Sequence, residues 1–129
     1  CFMTVALWCI LIAIFLPYIC TGVAKASGGY RLKDNHDPRD FLDSLEGLGR
    51  RAHAAQLNSF EVTPAFAAAV IVAHLAGNAE LVTINVLSVL FITSRLLYII
   101  CYLADWAILR SLVWFVGMGL IVSFFVVSV

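Results

Sequence analysis

Apolar residues run almost unbroken through four stretches of this 129-residue chain, at about residues 2–24, 45–76, 81–104 and 108–129. Each matches or exceeds the roughly 20 apolar residues that an α-helix needs to cross a bilayer core. Only residues 25–44 have the opposite character, crowded with charge, glycine and turn-forming residues. The pattern predicts an all-α chain: a single domain built as a four-transmembrane-helix bundle, with one long polar loop and two short turns.

The first span carries no charge before Lys25. It lacks a positively charged leading region and its apolar core is long, so it reads as a retained transmembrane helix rather than a signal peptide. Pro17 removes one backbone donor and is expected to bend it. The second helix is expected to start between Asp40 and Gly49, amphipathic at first and wholly apolar later, with Asp40, Asp43 and Glu46 suited to its positive end. Asp105 and Trp106 mark a membrane interface before the fourth span. Gly117 and Gly119 give a weak signal for close helix contact.

Composition sharpens the class. The chain is 63% hydrophobic and 12% charged, with eight basic residues balanced by eight acidic ones, so nothing supports a nucleic-acid footprint. Position is more informative than total charge. Lys25, Arg31, Lys33, Arg39, Arg50 and Arg51 cluster around the first loop, whereas the turn between the second and third spans has no Lys or Arg. The positive-inside rule places that loop in the cytoplasm and both termini on the other side. So short a bundle has little room to enclose a large site alone, which favours an oligomer.

Metal and redox chemistry find little support. Asp34, Asn35, His36 and Asp37 lack clean ligand spacing and read as a polar loop. Cys1, Cys9, Cys20 and Cys101 show neither paired nor zinc-like spacing and read as apolar packing residues. His74 reads as a hydrogen-bonded packing residue near the far end of the second span. No Ser-His-Asp arrangement or Gly-rich phosphate loop is present.

The candidate site comes instead from Arg51, Glu61, Arg95 and Arg110, which lie in or beside apolar spans. An ionised group at a helix centre costs about 2.5–3.5 kcal/mol on insertion scales, so such residues face a bundle interior, pair with one another or hold a ligand. Arg51, Asn58 and Glu61 share one helical face, and Arg95, Tyr98 and Tyr102 form another stripe. Glu61 and Arg95 are expected to pair. His53, near the second helix start, faces headgroups or a ligand.

The residues RRAHAAQLNSFEVTP, followed by R-x-x-Y-x-x-x-Y in the third span and RS in the fourth, resemble the MAPEG family, the membrane-associated proteins in eicosanoid and glutathione metabolism. The chain looks like a bacterial member, and Asn58-x-x-Glu61 followed by Pro64 is the most specific element. The resemblance implies a homotrimer in a bacterial inner membrane, with glutathione as cosubstrate between adjacent subunits near the cytoplasmic face. It implies that Arg51, Asn58 and Glu61 hold the tripeptide, that Arg95 and Tyr102 match third-helix site residues, and that Arg110 and Ser111 lie near the thiol. Tyr98 and His53 join the candidate binding set, Tyr98 at a position that can be histidine.

Side-chain chemistry agrees with such a ligand. Arg51 and Arg95 would receive its two carboxylates and Glu61 its ammonium group. Arg110 would favour thiolate, Ser111 would donate to it, and Tyr102 would donate or form a stacking wall. The expected activity is a glutathione-dependent transferase or peroxidase acting on a lipophilic electrophile that enters from lipid. Ala54 and Leu57 stand where relatives often carry basic residues, and Trp114 replaces a tyrosine; weaker anion binding is the expected consequence. A noncatalytic lipid- or thiol-binding protein and a small proton-coupled transporter are the competing readings.

Overall fold

A computed structural model describes residues 3–129; Cys1 and Phe2, at the start of the first predicted span, lie outside the described residues. The chain is all-α. Four long helices, α1 (Val5–Gly28), α3 (Leu48–Ala76), α4 (Leu81–Leu103) and α5 (Ala107–Val126), are each long and apolar enough to cross a membrane. The chain is therefore a multi-pass integral membrane protein. A short helix, α2 (Pro38–Asp43), follows a 3₁₀ turn over Leu32–His36 in the segment between α1 and α3.

Helix α1 opens on Thr4, whose Oγ1 accepts a hydrogen bond from the Leu7 amide at 3.2 Å. The helix then runs unbroken through Pro17, which is buried. Proline has no N–H to offer the carbonyl four residues back, that of Ala13. Thr63 on α3 lies beside this carbonyl: its hydroxyl is 2.7 Å from Ser59 O on its own helix and 3.5 Å from Ala13 O. A polar neighbour thus faces the group that hydrocarbon would leave bare.

The segment between α1 and α3 departs from the expected polar loop in its boundaries and its order. Lys25–Gly28 still belong to α1, and Asp40–Asp43 form part of α2 rather than the start of the second spanning helix. Asp37 caps α2, accepting from the Asp40 amide at 3.1 Å, with Pro38 at the first helical position. Leu42 and Leu45 then bury themselves against Ala24 and Ala52. This seat requires glycine on either side: a Cβ at Gly28 would collide with the Leu45 side chain, and one at Gly49 would lie 2.9 Å from Ser27 Oγ.

In the bundle α1 packs mainly along α3 and α4 along α5, while α3 also touches α4 and α5. Small residues, Ala6, Cys9 and Ala13 on α1 with Ala69 and Ala73 on α3, allow the first pair to approach closely. Phe66 fills the centre, stacked on Phe91 at 4.2 Å and edge-on to Phe124 at 5.9 Å. A Cβ at Gly117 would lie 3.3 Å from Ser94 Oγ, whereas Gly119 faces open space. Cys9, Cys20 and Cys101 are buried free thiols.

The two ends of the bundle are tied differently. At one end Thr4 Oγ1 meets His74 Nε2 at 2.9 Å, the Ala6 amide donates to Asn85 Oδ1, and Asn78 Nδ2 donates to Ser128 O. The start of α1, the end of α5 and the α3–α4 turn therefore share one side. The other side carries α2 and the α4–α5 turn, and the candidate site opens near it. Only 17% of the most apolar stretch of α5 is buried in the protomer, which leaves most of that helix facing outward.

Candidate functional site

A groove of about 270 Å³ lies where α3, α4 and α5 meet, lined by Asn58, Tyr98, Tyr102, Arg110, Ser111, Trp114 and Phe115. Helical spacing explains the lining. Tyr98 and Tyr102 stand one turn apart on α4, and Arg110 and Trp114 do the same on α5, each followed by a neighbour on the same side. The α4–α5 turn is so short that Tyr102 and Arg110 face each other across it. The Arg110 guanidinium lies over the Tyr102 ring, 4.3 Å from its centroid, and Tyr98 meets Tyr102 edge-on at 5.7 Å.

Among the described residues the Arg110 guanidinium has no ion-pair partner. The Ser111 hydroxyl donates to the Ala107 carbonyl at 3.2 Å, so its proton is already engaged and its lone pairs remain. Trp114 and Phe115, not among the predicted site residues, add an apolar wall. The repeat of i, i+4 and i+5 from Arg110 was the signal available for them.

Arg95 stands behind this groove rather than in it. It is 4% exposed, donating from Nη2 to Asn58 Oδ1 at 2.8 Å and to Ser59 Oγ at 3.3 Å, with its guanidinium 4.2 Å from the Tyr98 ring centroid. The expected Glu61–Arg95 pair is absent. Glu61 is exposed on the outer surface of α3 and, among the described residues, forms no ion pair. The cause is one of level as well as angle: Arg95 meets α3 at Asn58 and Ser59, and Glu61 stands further along and roughly 60° away from Asn58, since three residues advance a helix by about 300°.

Arg51 is also occupied within the protomer. Its Nε and Nη2 donate to Leu103 O at 3.3 and 3.2 Å. At that end of α4 the Trp106 amide bonds to Cys101 O and the Asp105 amide to Tyr102 O, with Asp105 left-handed at φ 63°. This is the Schellman arrangement, and it leaves the Leu103 carbonyl for another donor. Arg51 supplies it and brings a cation to the negative end of the helix dipole.

His53 lies elsewhere again. Its Nε2 is 3.0 Å from Asp43 Oδ1 and its Nδ1 3.2 Å from Gln56 Oε1, which tethers α2 to α3. It borders a second, larger hollow of about 590 Å³ beside Tyr18, Arg39 and Phe60. Ala54 is half-buried and Leu57 exposed. Among the described residues no group of three His, Cys, Asp or Glu side chains gathers as a metal site.

The predicted residues thus separate into a groove set (Asn58, Tyr98, Tyr102, Arg110 and Ser111), a buried support (Arg95), two groups at the loop end (Arg51 and His53) and one on the outer wall (Glu61). No curated protein and no solved structure matches the chain. The sequence profile of the MAPEG family, however, matches residues 5–129. Four apolar helices and a family match over nearly the whole length lead to one conclusion: the chain belongs to the MAPEG family.

Proposed function

We propose that this protein is a glutathione-dependent transferase or peroxidase that acts on lipophilic electrophiles. Family membership in general points to a membrane function related to lipids, eicosanoids or glutathione. The observation that carries the finer reading is Arg110: a half-buried guanidinium at a groove, resting on Tyr102 and without an ion-pair partner among the described residues. A cation held there favours the thiolate of a bound thiol over its protonated form. In the transferase reaction the thiolate forms a C–S bond to the electrophile and a leaving group departs with the electron pair. In the peroxidase reaction it attacks one peroxide oxygen, releasing an alcohol and leaving a sulfenic acid that a second glutathione converts to disulfide and water.

Trp114 and Phe115 offer the apolar approach that such an electrophile needs. The groove is slightly smaller than the roughly 300–1,000 Å³ of ordinary small-molecule sites. A second copy that completes its wall agrees with the homotrimer implied by family resemblance, and the loop side would face the cytoplasm of a bacterial cell. Glu61, on the outer wall, would then act at a subunit boundary. A proton-coupled transporter fits less well, because Glu61 sits on the outer wall rather than the bundle interior.

Calorimetric titration of the detergent-solubilised protein with reduced glutathione tests this reading, followed by turnover with a chloronitroaromatic and with an organic hydroperoxide. Saturable binding that weakens about tenfold or more in Arg110→Ala, together with turnover, is expected. Binding without turnover of either substrate would make the protein a noncatalytic thiol binder. No binding up to about 10 mM glutathione, above typical substrate affinities, would end the assignment.

A further inference from the structure

Among the described residues Arg95 is the one charged side chain buried in the protomer, and it does not line the groove. It nevertheless decides what one wall of the groove presents. A guanidinium carries only N–H donors and no acceptor. The Asn58 atom 2.8 Å from Arg95 Nη2 must therefore be the amide oxygen, which settles an orientation that amide shape alone leaves ambiguous. Ser59 Oγ takes a second bond from the same nitrogen and the Tyr98 ring covers the guanidinium, so Arg95 is held by groups on two helices.

Asn58 is half-buried and lines the groove beside Tyr98, Tyr102 and Arg110. With its oxygen turned to Arg95, the amide of Asn58 points its Nδ2 donor pair the other way, and among the described residues those two donors are unused. Arg110 likewise contributes donors only, whereas Ser111, its proton committed to its own helix, offers lone pairs. Asn58 and Arg110 thus supply the donors on the polar side of the groove.

We propose that Arg95 is a positioning residue that fixes Asn58 as a hydrogen-bond donor toward the groove, so that the ligand group seated there is an oxygen acceptor, a carboxylate or an amide carbonyl. The identity of the ligand as glutathione rests on the function proposed above; the orientation of Asn58 does not. Arg95 therefore acts on the ligand through Asn58, in place of the direct carboxylate contact expected from sequence.

A double-mutant cycle separates the two roles, read as glutathione affinity alongside thermal unfolding of the detergent-solubilised protein. Arg95→Met and Asn58→Ala should each weaken binding about tenfold, and the double variant no more than either alone, because both remove one contact. Arg95→Lys, which also only donates, should recover most of the affinity. Additive losses, about 100-fold in the double variant, would show that Arg95 touches the ligand itself and would overturn the proposal. So would a fall in melting temperature with affinity unchanged.

If Arg95→Met does not fold, Asn58→Asp serves: it keeps an oxygen for Arg95 and should keep the melting temperature, yet it turns a donor wall into an acceptor wall and should weaken binding at least tenfold. Unchanged binding would overturn the proposal. If the wild type binds no glutathione, the proposed function fails and nuclear Overhauser contacts of ¹⁵N-asparagine-labelled protein still decide the orientation. Contacts from the Asn58 amide protons to the Tyr102 or Trp114 rings uphold it; contacts to Arg95 alone overturn it.

Discussion

Arg51 on α3 donates from two nitrogens to the carbonyl oxygen of Leu103, at 3.3 and 3.2 Å, and so closes the last turn of α4. The contact joins the helix that supplies Asn58 to the short turn that sets Tyr102 against Arg110. An arginine expected from its position to hold ligand is already engaged in shaping the frame on which the groove is built.

Replacing it should therefore be felt in stability. Arg51→Met is expected to cost about 1–3 kcal/mol, the range for a charge-assisted hydrogen bond at a helix end. Thermal unfolding in detergent measures this. A variant as stable as the wild type, with affinity for glutathione lost, would return Arg51 to the binding set.

Arg110→Ala should separate chemistry from folding. It loses a stacking contact of about 0.5–1 kcal/mol with Tyr102 and should scarcely change the melting temperature. On the proposed reading kcat/KM falls by at least about 100-fold, the scale of losing one electrostatic stabiliser. Steady-state rates that fall less than threefold would exclude Arg110 from thiolate stabilisation.

Thr63 and Pro17 should behave as a coupled pair. Thr63→Val removes the hydroxyl beside the Ala13 carbonyl and should cost about 0.5–1.5 kcal/mol. In a Pro17→Ala background the restored backbone N–H serves that carbonyl, and the same change should cost less. Equal costs in both backgrounds, measured by unfolding, would assign the whole effect to the Ser59 bond.

Glu61→Gln should leave the protomer fold intact, since among the described residues the carboxylate forms no ion pair. On the proposed reading its effect falls at the boundary between copies. Light scattering over a dilution series should show weaker assembly than in the wild type; identical assembly would place Glu61 away from that boundary.

The four spanning helices were legible because lipid demands long apolar runs, and such runs mark themselves whatever the packing. Helix α2 was not. Half of its six residues are charged, and the seat of Leu45 just beyond it depends on Gly28 and Gly49, close only once α1 and α3 meet. Tyr102 and Arg110 were readable as one site because a three-residue turn separates their helices. The Arg95 partner was misread for a related reason: periodicity gives the angle of a residue around its own helix, but not the level at which a neighbouring helix meets it. Asn58 and Ser59 face Arg95, while Glu61 has already turned away. Arg51 was misread because nothing in its own surroundings announces that a carbonyl 52 residues later lacks a donor.

The knot of Thr4, His74, Asn78, Asn85 and Ser128 puts the start of α1 and the end of α5 on one side of the bundle. Copies of residues 3–129 can therefore be joined head to tail in one reading frame by a soluble linker, with no strand having to recross the membrane. Such a tandem gene would fix the number of protomers by covalent connection. It would also allow a single Arg110 to be altered in one of them, so that the contribution of each groove could be counted rather than averaged.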